Sequence, residues 1–341
     1  MEELLEHFKR AKKKYDAYQD PRDDIKAIVL ACIRHMRTAR KMEWGGPLGK
    51  RYTIFYVGRN KSRPFLTNQI ITEDEFSSLW DQLLQSANRE EKCFTLPEEQ
   101  VTKTVYNAVV SFCVCIDIWK PKSRKTPGTY FEVVLGTLIG LILPDATRRT
   151  KHIPLPTEVA QSVAAVSDIA QSLEVTEEEL SLDNEIDAVL SDEGVGAEEE
   201  AEEGKRSDIS QVATDIVFDF DGKGIVIPAK ITTRERIVQP FAHQRILDSV
   251  FGAGRYISLL MCVSETQRSD KDRRVNEICV PGTIALFQRH LARIGGIYYL
   301  DPPERYMTLG RREVVPVQSL GALLTSGLAA IVTQLNRAPS V

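Results

Sequence analysis

Apolar residues near the start of the chain recur every three or four positions, which is the spacing of one face of an α-helix. The residues that share this spacing are Leu4, Leu5, Phe8, Ile25, Ile28, Val29, Cys32, Ile33 and Met36. Pro21 separates two predicted helices. The second should end in the basic residues that run to Lys41, because cations stabilise a helix C terminus. The pattern therefore predicts a mainly helical N-terminal region.

Three further elements follow along the chain. Residues 52 to 57 are rich in β-branched and aromatic side chains and predict a strand. Thr72 with Glu75 has the spacing of a capping box, which predicts the start of a helix. Residues 97 to 117 predict another helix, although residues 109 to 118 are apolar enough to form a buried strand instead.

A basic linker and a turn precede the next apolar run. Residues 120 to 125 read Lys-Pro-Lys-Ser-Arg-Lys, and Thr126-Pro127-Gly128 follows as a turn. We predict a helix over residues 129 to 143. The longest apolar run, Val133 to Leu143, is far shorter than the roughly 20 apolar residues that cross a bilayer, and the N terminus lacks the pattern of a secretory signal. We therefore expect no membrane partner.

Two short β-rich runs surround an Asp-Gly-Lys-Gly turn between residues 214 and 230, which predicts a β-hairpin. With Gly222 and Lys223 as the loop, Asp215 would pair with Lys230. Directly opposed residues project to one face, so this carboxylate and this ammonium should meet at the open end of the hairpin. A shift of one residue in register would separate them. The other face is apolar and should join the core through Ile216, Phe218, Phe220, Ile225, Ile227 and Ala229.

Charge is distributed unevenly along the 341 residues, which suffice for one large domain or two modest ones. The net charge is −4, yet residues 174 to 203 hold fourteen acids and no Lys or Arg. Outside this stretch 34 acids face 44 bases, so the rest of the chain is basic, which suits a protein that binds a polyanion. Six scattered cysteines lack metal-site spacing, which predicts buried thiols and a cytoplasmic protein.

An Asp and a Lys held side by side suit phosphodiester hydrolysis. Carboxylates are the ligands that hard divalent cations prefer, and a bound metal activates water and neutralises charge on the phosphate. Lys230 beside a Mg²⁺ bound by Asp215 could orient or deprotonate the attacking water, or stabilise the transition state. A surface ion pair on a hairpin would use the same two residue types, so the pairing alone does not decide the function.

The whole segment resembles a known family of nucleases. Thr214-Asp215, the short hairpin and Ile227-Pro228-Ala229-Lys230 resemble the core of the PD-(D/E)xK nucleases. The run from Pro228 to Arg236, with His243-Gln244-Arg245, is similar to type II restriction endonucleases. The resemblance covers about residues 124 to 143 and 214 to 300. It implies an α/β fold with a mixed β-sheet flanked by helices, Mg²⁺-dependent cleavage of double-stranded DNA at a specific sequence, a restriction-modification system and a homodimer.

Two positions depart from the family pattern. Thr214 stands where the family has a proline, which is a mild change. Pro228 stands two residues before Lys230, where the family places its second acid. Because a proline side chain cannot bind a metal ion, the second carboxylate must come from elsewhere in the chain or be missing.

Three glutamates are candidates for this carboxylate. Glu132 is the first choice as a catalytic and metal-binding residue, because the turn before it resembles the family's approach to its catalytic helix; as an alternative, it is an acid favoured by the helix dipole. Glu235 is the second candidate, and it also fits a capping box with Thr232. Glu265, which follows a predicted strand, is the third.

The donors that follow Lys230 are candidates for DNA contacts, because Arg and Gln have the geometry to reach phosphates and base edges. They are Arg234, Arg236, His243, Gln244 and Arg245. We predict a helical region over residues 1 to 121 that could also contact DNA, a nuclease domain over 122 to 310 with an acidic insert at about 174 to 204, and a C-terminal segment over 311 to 341. The alternatives are a catalytically silent DNA-binding protein on the same scaffold and a DNA repair nuclease.

Overall fold

The computed structural model describes residues 2–121, 123, 125–154, 156, 211–310 and 313–337, without the side chains of 150–152, 154, 211–213, 234 and 235. The predicted acidic insert at about 174 to 204 lies outside the described residues. Contacts group Met1–Lys151 with Thr214–Val341 in one compact unit and His152–Ala213 in a second. Of the second unit, only short strand segments and residue 156 are described.

The helices of the N-terminal region confirm most of the periodicity. They are α1 (Glu2–Asp16), α2 (Arg22–Thr38), α3 (Glu73–Gln85), α4 (Glu98–Trp119) and α5 (Thr126–Ile142). Thr72 caps α3 by accepting a hydrogen bond from the N–H of Glu75 at 3.2 Å, as predicted. Residues 109 to 118 are helical within α4, so the alternative of a buried strand was wrong. The basic end of α2 was also placed wrongly, because the backbone becomes extended at Ala39 and Lys41 lies in a strand.

The later helices are α6 (Gln239–Phe251), α7 (Pro281–His290), α8 (Glu304–Thr308), α9 (Leu320–Ala322) and α10 (Leu328–Arg337). The strands are β1 (Arg40–Gly45), β2 (Arg51–Val57), β3 (Asn60–Lys61), β4 (Phe65–Leu66), β5 (Ala87–Asn88), β6 (Cys93–Phe94), β7 (Thr147–Pro154), β8 (Gln211–Asp219), β9 (Gly224–Ile227), β10 (Ala229–Lys230), β11 (Tyr256–Ser264), β12 (Thr266–Ser269), β13 (Arg274–Glu277), β14 (Gly296–Asp301) and β15 (Val317–Ser319).

The larger sheet is mixed, with the strand order β15-β14-β11-β9-β8-β7. Its strands β9, β11, β14 and β15 run parallel, and β8 pairs antiparallel with β9. Helices cover both faces, because alternate residues of β11 belong to different cores. Leu259 and Met261 face the core that contains α4 and α5, whereas Leu260 and Cys262 face the core that contains α6 and α7. The predicted mixed β-sheet flanked by helices, with a helical N-terminal region, is confirmed.

The smaller sheet joins distant parts of the chain. Its order is β12-β13-β1-β2-β3, and β4 adds to β2. Gly45 of β1 lies opposite Arg274 of β13 in a parallel pair. This sheet thus takes strands from both sides of residue 121, where the sequence predicted a division.

Lys50 connects the smaller sheet to the larger one. Its Nζ donates to Asp301 at 2.9 Å, to Glu277 at 3.2 Å and to the carbonyl of Pro302 at 2.7 Å. The hydroxyl of Tyr52 donates to the same Asp301 carboxylate at 3.0 Å. Burial raises the pKa of Asp301 and of Glu277, and Lys50 acts in the opposite direction on both. These buried charges hold the start of β2 against the end of β14.

Helix α4 lies between the two sheets and contacts strands of both. Among the described residues it has the length and hydropathy of a membrane span, with a mean hydropathy of 1.4 over its most apolar window. However, 83% of that window is buried inside the protein, which is also what a core helix shows. Cys113 and Cys115 lie within this helix, and both are buried free thiols, as the sequence predicted. The alternative that placed them on a buried strand was wrong.

Candidate active site

The predicted hairpin forms with a different turn. Asp221 and Gly222 have φ values of +55° and +83° and occupy the two central positions, and the N–H of Phe220 donates to the carbonyl of Lys223 at 2.7 Å. Asp-Gly is the sequence that favours such a turn, because both central residues need a positive φ. Asp219 then pairs with Gly224. The predicted register, with Gly222 and Lys223 as the loop, was therefore wrong by two residues.

A shift of two residues leaves the faces of the hairpin unchanged, because side chains alternate with a period of two. The predicted apolar face is buried in the core at Ile216, Phe218, Ile225, Ile227 and Ala229, and Phe220 packs against it. The same shift would place Asp215 opposite Pro228. Lys230 is thus no longer the direct partner of Asp215 in the ladder.

The two residues nevertheless meet at Pro228, where the pairing between the two arms of the hairpin stops. The ladder between β8 and β9 ends at Ile227, whereas β9 and β10 both pair in parallel with β11 in the same register. Proline has no N–H to donate to a ladder, so strand pairing commonly breaks at such a residue. The next N–H, that of Ala229, donates to Oδ2 of Asp215 at 2.7 Å. The carboxylate thus binds the backbone just beyond the break.

Lys230 meets Asp215 at this break, as the sequence predicted. Its Nζ lies 3.1 Å from Oδ2 of Asp215, and the side chains are 30% and 23% exposed. Among the residues with described side chains, both contacts of Asp215 use Oδ2. Oδ1 takes no part in these two contacts.

Glu132 lies on α5, and this helix contacts β10. The side chain is partly buried, and its negative charge contributes to the raised pKa of Tyr15, which is about 12 mainly because of burial. Tyr15 of α1 packs against α5 one turn beyond Glu132, where Gly136 leaves room for the ring. The structure therefore places Glu132 and Lys230 on neighbouring elements.

His243 is a second neighbour of the Asp215 and Lys230 pair. It lies on α6 and is partly buried. Burial lowers its pKa below the usual value, the positive charge of Lys230 lowers it further, and Asp215 acts in the opposite direction. These shifts favour a neutral imidazole beside the pair at neutral pH.

Gln244, which the sequence suggested as a DNA contact, is buried and hydrogen-bonded inside the protein. The side chain is only 2% exposed. Its amide nitrogen donates to the carbonyl of Tyr256 at 2.8 Å, and its oxygen accepts from the N–H of Ser258 at 2.7 Å. Both polar groups of the amide thus form hydrogen bonds that join α6 to β11.

The three arginines differ in what the structure describes. Arg236 and Arg245 are exposed, as a DNA contact requires. Arg234 and Glu235 begin a 3₁₀ helix, Arg234–Val238, and their side chains lie outside the described set. The threonine before this helix, Thr233, does not cap it with its side chain.

Glu265, the third candidate for the second carboxylate, is buried. It is 2% exposed and accepts hydrogen bonds from the hydroxyl of Thr232 at 2.8 Å and from the N–H of Thr233 at 2.7 Å. The signal that could have found it is its position directly after the buried strand β11, which neighbours β10.

One solved structure is similar over the full length. Kpn2I, a type IIP restriction endonuclease known from a crystal structure, has 32% sequence identity with this chain, and the match covers 100% of both chains at a TM-score of 0.73. This chain belongs to the restriction endonuclease family. No family model matches the chain. No curated protein matches it either. Family membership thus rests on a match that includes the hairpin, α5 and the N-terminal region.

Proposed function

We propose that the protein is a metal-dependent type II restriction endonuclease that cuts double-stranded DNA at a specific sequence. The observation that carries this proposal is the contact between Asp215 and Lys230 at the break after Pro228, on a helix-flanked mixed sheet. Full-length similarity to a type IIP restriction endonuclease supports it. The basic character of the chain outside its acidic stretch agrees with a polyanionic substrate.

The residues at this site fit a Mg²⁺ ion. Oδ1 of Asp215 takes no part in the two contacts of this carboxylate, and Glu132 stands on the helix next to β10. No cluster of three His, Cys, Asp or Glu residues occurs among those that the structure describes. Such a cluster is not required, because Mg²⁺ in phosphate chemistry is commonly held by one or two carboxylates, water and the substrate itself. We propose Asp215 and Glu132 as its protein ligands.

A bound Mg²⁺ would supply charge neutralisation at the scissile phosphate and acidify a water molecule. Lys230 would hold its ammonium at the phosphate and stabilise the charge that builds up as water attacks phosphorus and the bond to the leaving oxygen breaks. Asp215 keeps this ammonium in place through Oδ2. The N–H of Ala229 fixes the carboxylate in turn, so neither group needs to reorganise during the reaction.

Arg236 and Arg245 would contact the DNA around the scissile phosphate, because both are exposed and follow β10 closely in the chain. Arg234 and His243 complete the set that we propose for DNA binding. We also propose a homodimer. The part of the chain that is described holds one pair of the Asp215 and Lys230 type on a broken hairpin, and two strands of opposite polarity are cut most simply by two copies related by a twofold axis.

The test is digestion of a DNA of known sequence with the purified protein and Mg²⁺, followed by mapping of the ends. Ends at one short fixed sequence support the proposal. Ends only at lesions or branched structures would indicate a repair nuclease. Binding to DNA without any cleavage over a range of divalent ions would indicate a silent DNA-binding protein, which the loss of an acid at Pro228 permits.

A further inference from the structure

The carboxylate of Glu265 accepts hydrogen bonds from the polar groups of one short turn, Thr232 and Thr233. Its Oε1 accepts from the N–H of Thr233 at 2.7 Å and from the hydroxyl of Thr233 at 2.5 Å. Its Oε2 accepts from the hydroxyl of Thr232 at 2.8 Å. A third hydroxyl, that of Tyr299 on β14, reaches Oε1 at 3.3 Å. The carboxylate is 2% exposed, so these bonds form away from bulk water.

The turn that Glu265 holds begins at the residue after Lys230. Lys230 lies beside Cys262 in the parallel pair of β10 and β11, and the N–H of Ser264 donates to the carbonyl of Ile231 at 3.2 Å. The strand then ends, and the 3₁₀ helix Arg234–Val238 begins with the N–H of Arg236 bonded to the carbonyl of Thr233 at 2.8 Å. The direction in which the chain leaves Lys230 is thus set at Thr232 and Thr233.

Glu265 itself is held in place by the larger sheet. It directly follows β11, the central strand of the larger sheet, and its own carbonyl accepts from the N–H of Ile278 at 2.8 Å. Tyr299, which also contacts it, is fully buried on the neighbouring strand. A buried carboxylate that accepts several hydrogen bonds from one turn fixes that turn more strongly than neutral partners would, because bonds to ionised groups are the stronger ones.

We propose that Glu265 is a positioning residue for the active site: it clamps Thr232 and Thr233 and so fixes both the end of β10 that carries Lys230 and the start of the helix that carries Arg234 and Arg236. This inference rests on the proposed function. It assigns Glu265 a role other than that of a metal ligand, since both of its oxygens already bind the turn.

Glu265→Gln is the main variant for the test, because it keeps the size of the side chain and leaves only one oxygen to accept hydrogen bonds. Thr233→Val removes one donor of the clamp, and Thr233→Ser keeps it. Asp219→Asn is the matched control. Asp219 is also a buried acid that holds a turn, through Gly222 at 3.0 Å and Tyr256 at 3.1 Å, but at the far end of the same hairpin.

Two quantities are measured in full-length protein: the single-turnover cleavage rate at saturating Mg²⁺ and DNA, and the hydrogen exchange of the segment from residue 230 to 240. Loss of a residue that orients an active-site group costs roughly 10- to 100-fold in activity, so Glu265→Gln and Thr233→Val should lose that much in rate and exchange faster in this segment. Thr233→Ser should behave like the wild type. Asp219→Asn should exchange faster only around residues 219 to 224 and cut at nearly the normal rate.

Equal rates in Glu265→Gln and Asp219→Asn would overturn the inference, as would unchanged exchange of residues 230 to 240 in Glu265→Gln. A wild type that cuts no DNA would contradict the proposed function instead. In that case the exchange measurement still decides whether Glu265 fixes the turn. If Glu265→Gln does not fold, the comparison of Thr233→Val with Thr233→Ser decides the same question.

Discussion

The backbone N–H of Ala229 donates to the Asp215 carboxylate at 2.7 Å, across the two arms of a hairpin whose ladder has already ended at Ile227. The side chain of Asp215 thus accepts the N–H of Ala229 at the point where backbone pairing between the two arms has stopped. Because the same oxygen also meets Lys230, the break in the strand and the candidate catalytic pair are one feature of the structure.

Replacing either member of this pair should abolish cleavage. Asp215→Ala and Lys230→Ala are each expected to lower the single-turnover rate by at least about 100-fold, as removal of a preorganised polar group at a transition state does. The fold should survive, since both side chains are partly exposed. Asp221→Asn, which removes a charge at the exposed tip of the hairpin and tolerates the positive φ there, is the control and should cut normally. Rates within a few-fold of the wild type in both pair variants would exclude the assignment.

The second metal-binding acid can be assigned with two isosteric changes. Glu132→Gln removes a charge from the helix beside β10 and should weaken Mg²⁺ binding and the cleavage rate by orders of magnitude, because a single carboxylate is too little for this ion. Glu235→Gln should lower both far less. Cleavage is measured against Mg²⁺ concentration for both variants. A dead Glu235→Gln beside a near-normal Glu132→Gln would reverse the assignment.

Gln244 and Arg245 are adjacent in sequence and should respond to substitution in different ways. Gln244→Leu leaves the Tyr256 carbonyl and the Ser258 N–H without their partner, which should lower the free energy of unfolding by about 2 kcal/mol or more. Arg245→Ala should leave the unfolding free energy within about 0.5 kcal/mol, because the residue is exposed.

Arg245→Ala should instead weaken DNA binding and reduce its salt dependence by about one released counterion. Thermal or urea unfolding and DNA titrations at several salt concentrations measure the two effects. A stable Gln244→Leu with impaired DNA binding would return Gln244 to the set of DNA contacts.

Lys50 should make stability depend on pH in a defined direction. Lys50→Met leaves the buried carboxylates of Asp301 and Glu277 without their cation, which should cost about 3 to 5 kcal/mol near pH 8. Burial already raises the pKa of both acids, and without Lys50 it rises further. Their folded-state pKa then lies above the unfolded value, so protonation favours the folded state. The loss of stability should therefore shrink as pH falls toward 5.

Urea unfolding of Lys50→Met and of the wild type at several pH values measures this difference. Lys61→Met is the matched control, because Lys61 pairs at 2.9 Å with Asp270 at an exposed position. It should cost little at any pH. A loss in Lys50→Met that stays constant or grows toward pH 5 would show that the buried charges do not control it.

Local patterns predicted the strands of the hairpin better than the register between them. The alternation of side chains along the hairpin predicted which face joins the core. That prediction holds despite the two-residue error in register, because a shift of two residues leaves every side chain on the same face. The error itself arose from the choice between Gly222-Lys223 and Asp221-Gly222 as the turn. The contact between Asp215 and Lys230 was predicted from direct pairing of the two residues across the hairpin. The structure forms this contact although the pairing ends at Ile227, before either residue is reached.

Other features depend on contacts between distant segments and left no local signal. Gln244 has the residue type and the neighbours of a DNA contact, and only the packing of α6 on β11 shows that its amide is used internally. The basic residues after α2 fit a helix end, yet Lys41 lies in a strand because β2 and β13 provide partners for β1. The partner in β13 lies more than 200 positions away, so no window along the sequence contains both strands.

The pairing of β1 with β13 also limits how the protein can be divided. A fragment that stops near residue 121 would contain β1 with an open edge, because its neighbour lies in β13. Unpaired strand edges promote association between chains. Lys50 would lose both acids at the same time. We therefore expect such a fragment to aggregate, and attempts to transfer the N-terminal region to another nuclease should carry residues 266 to 277 with it.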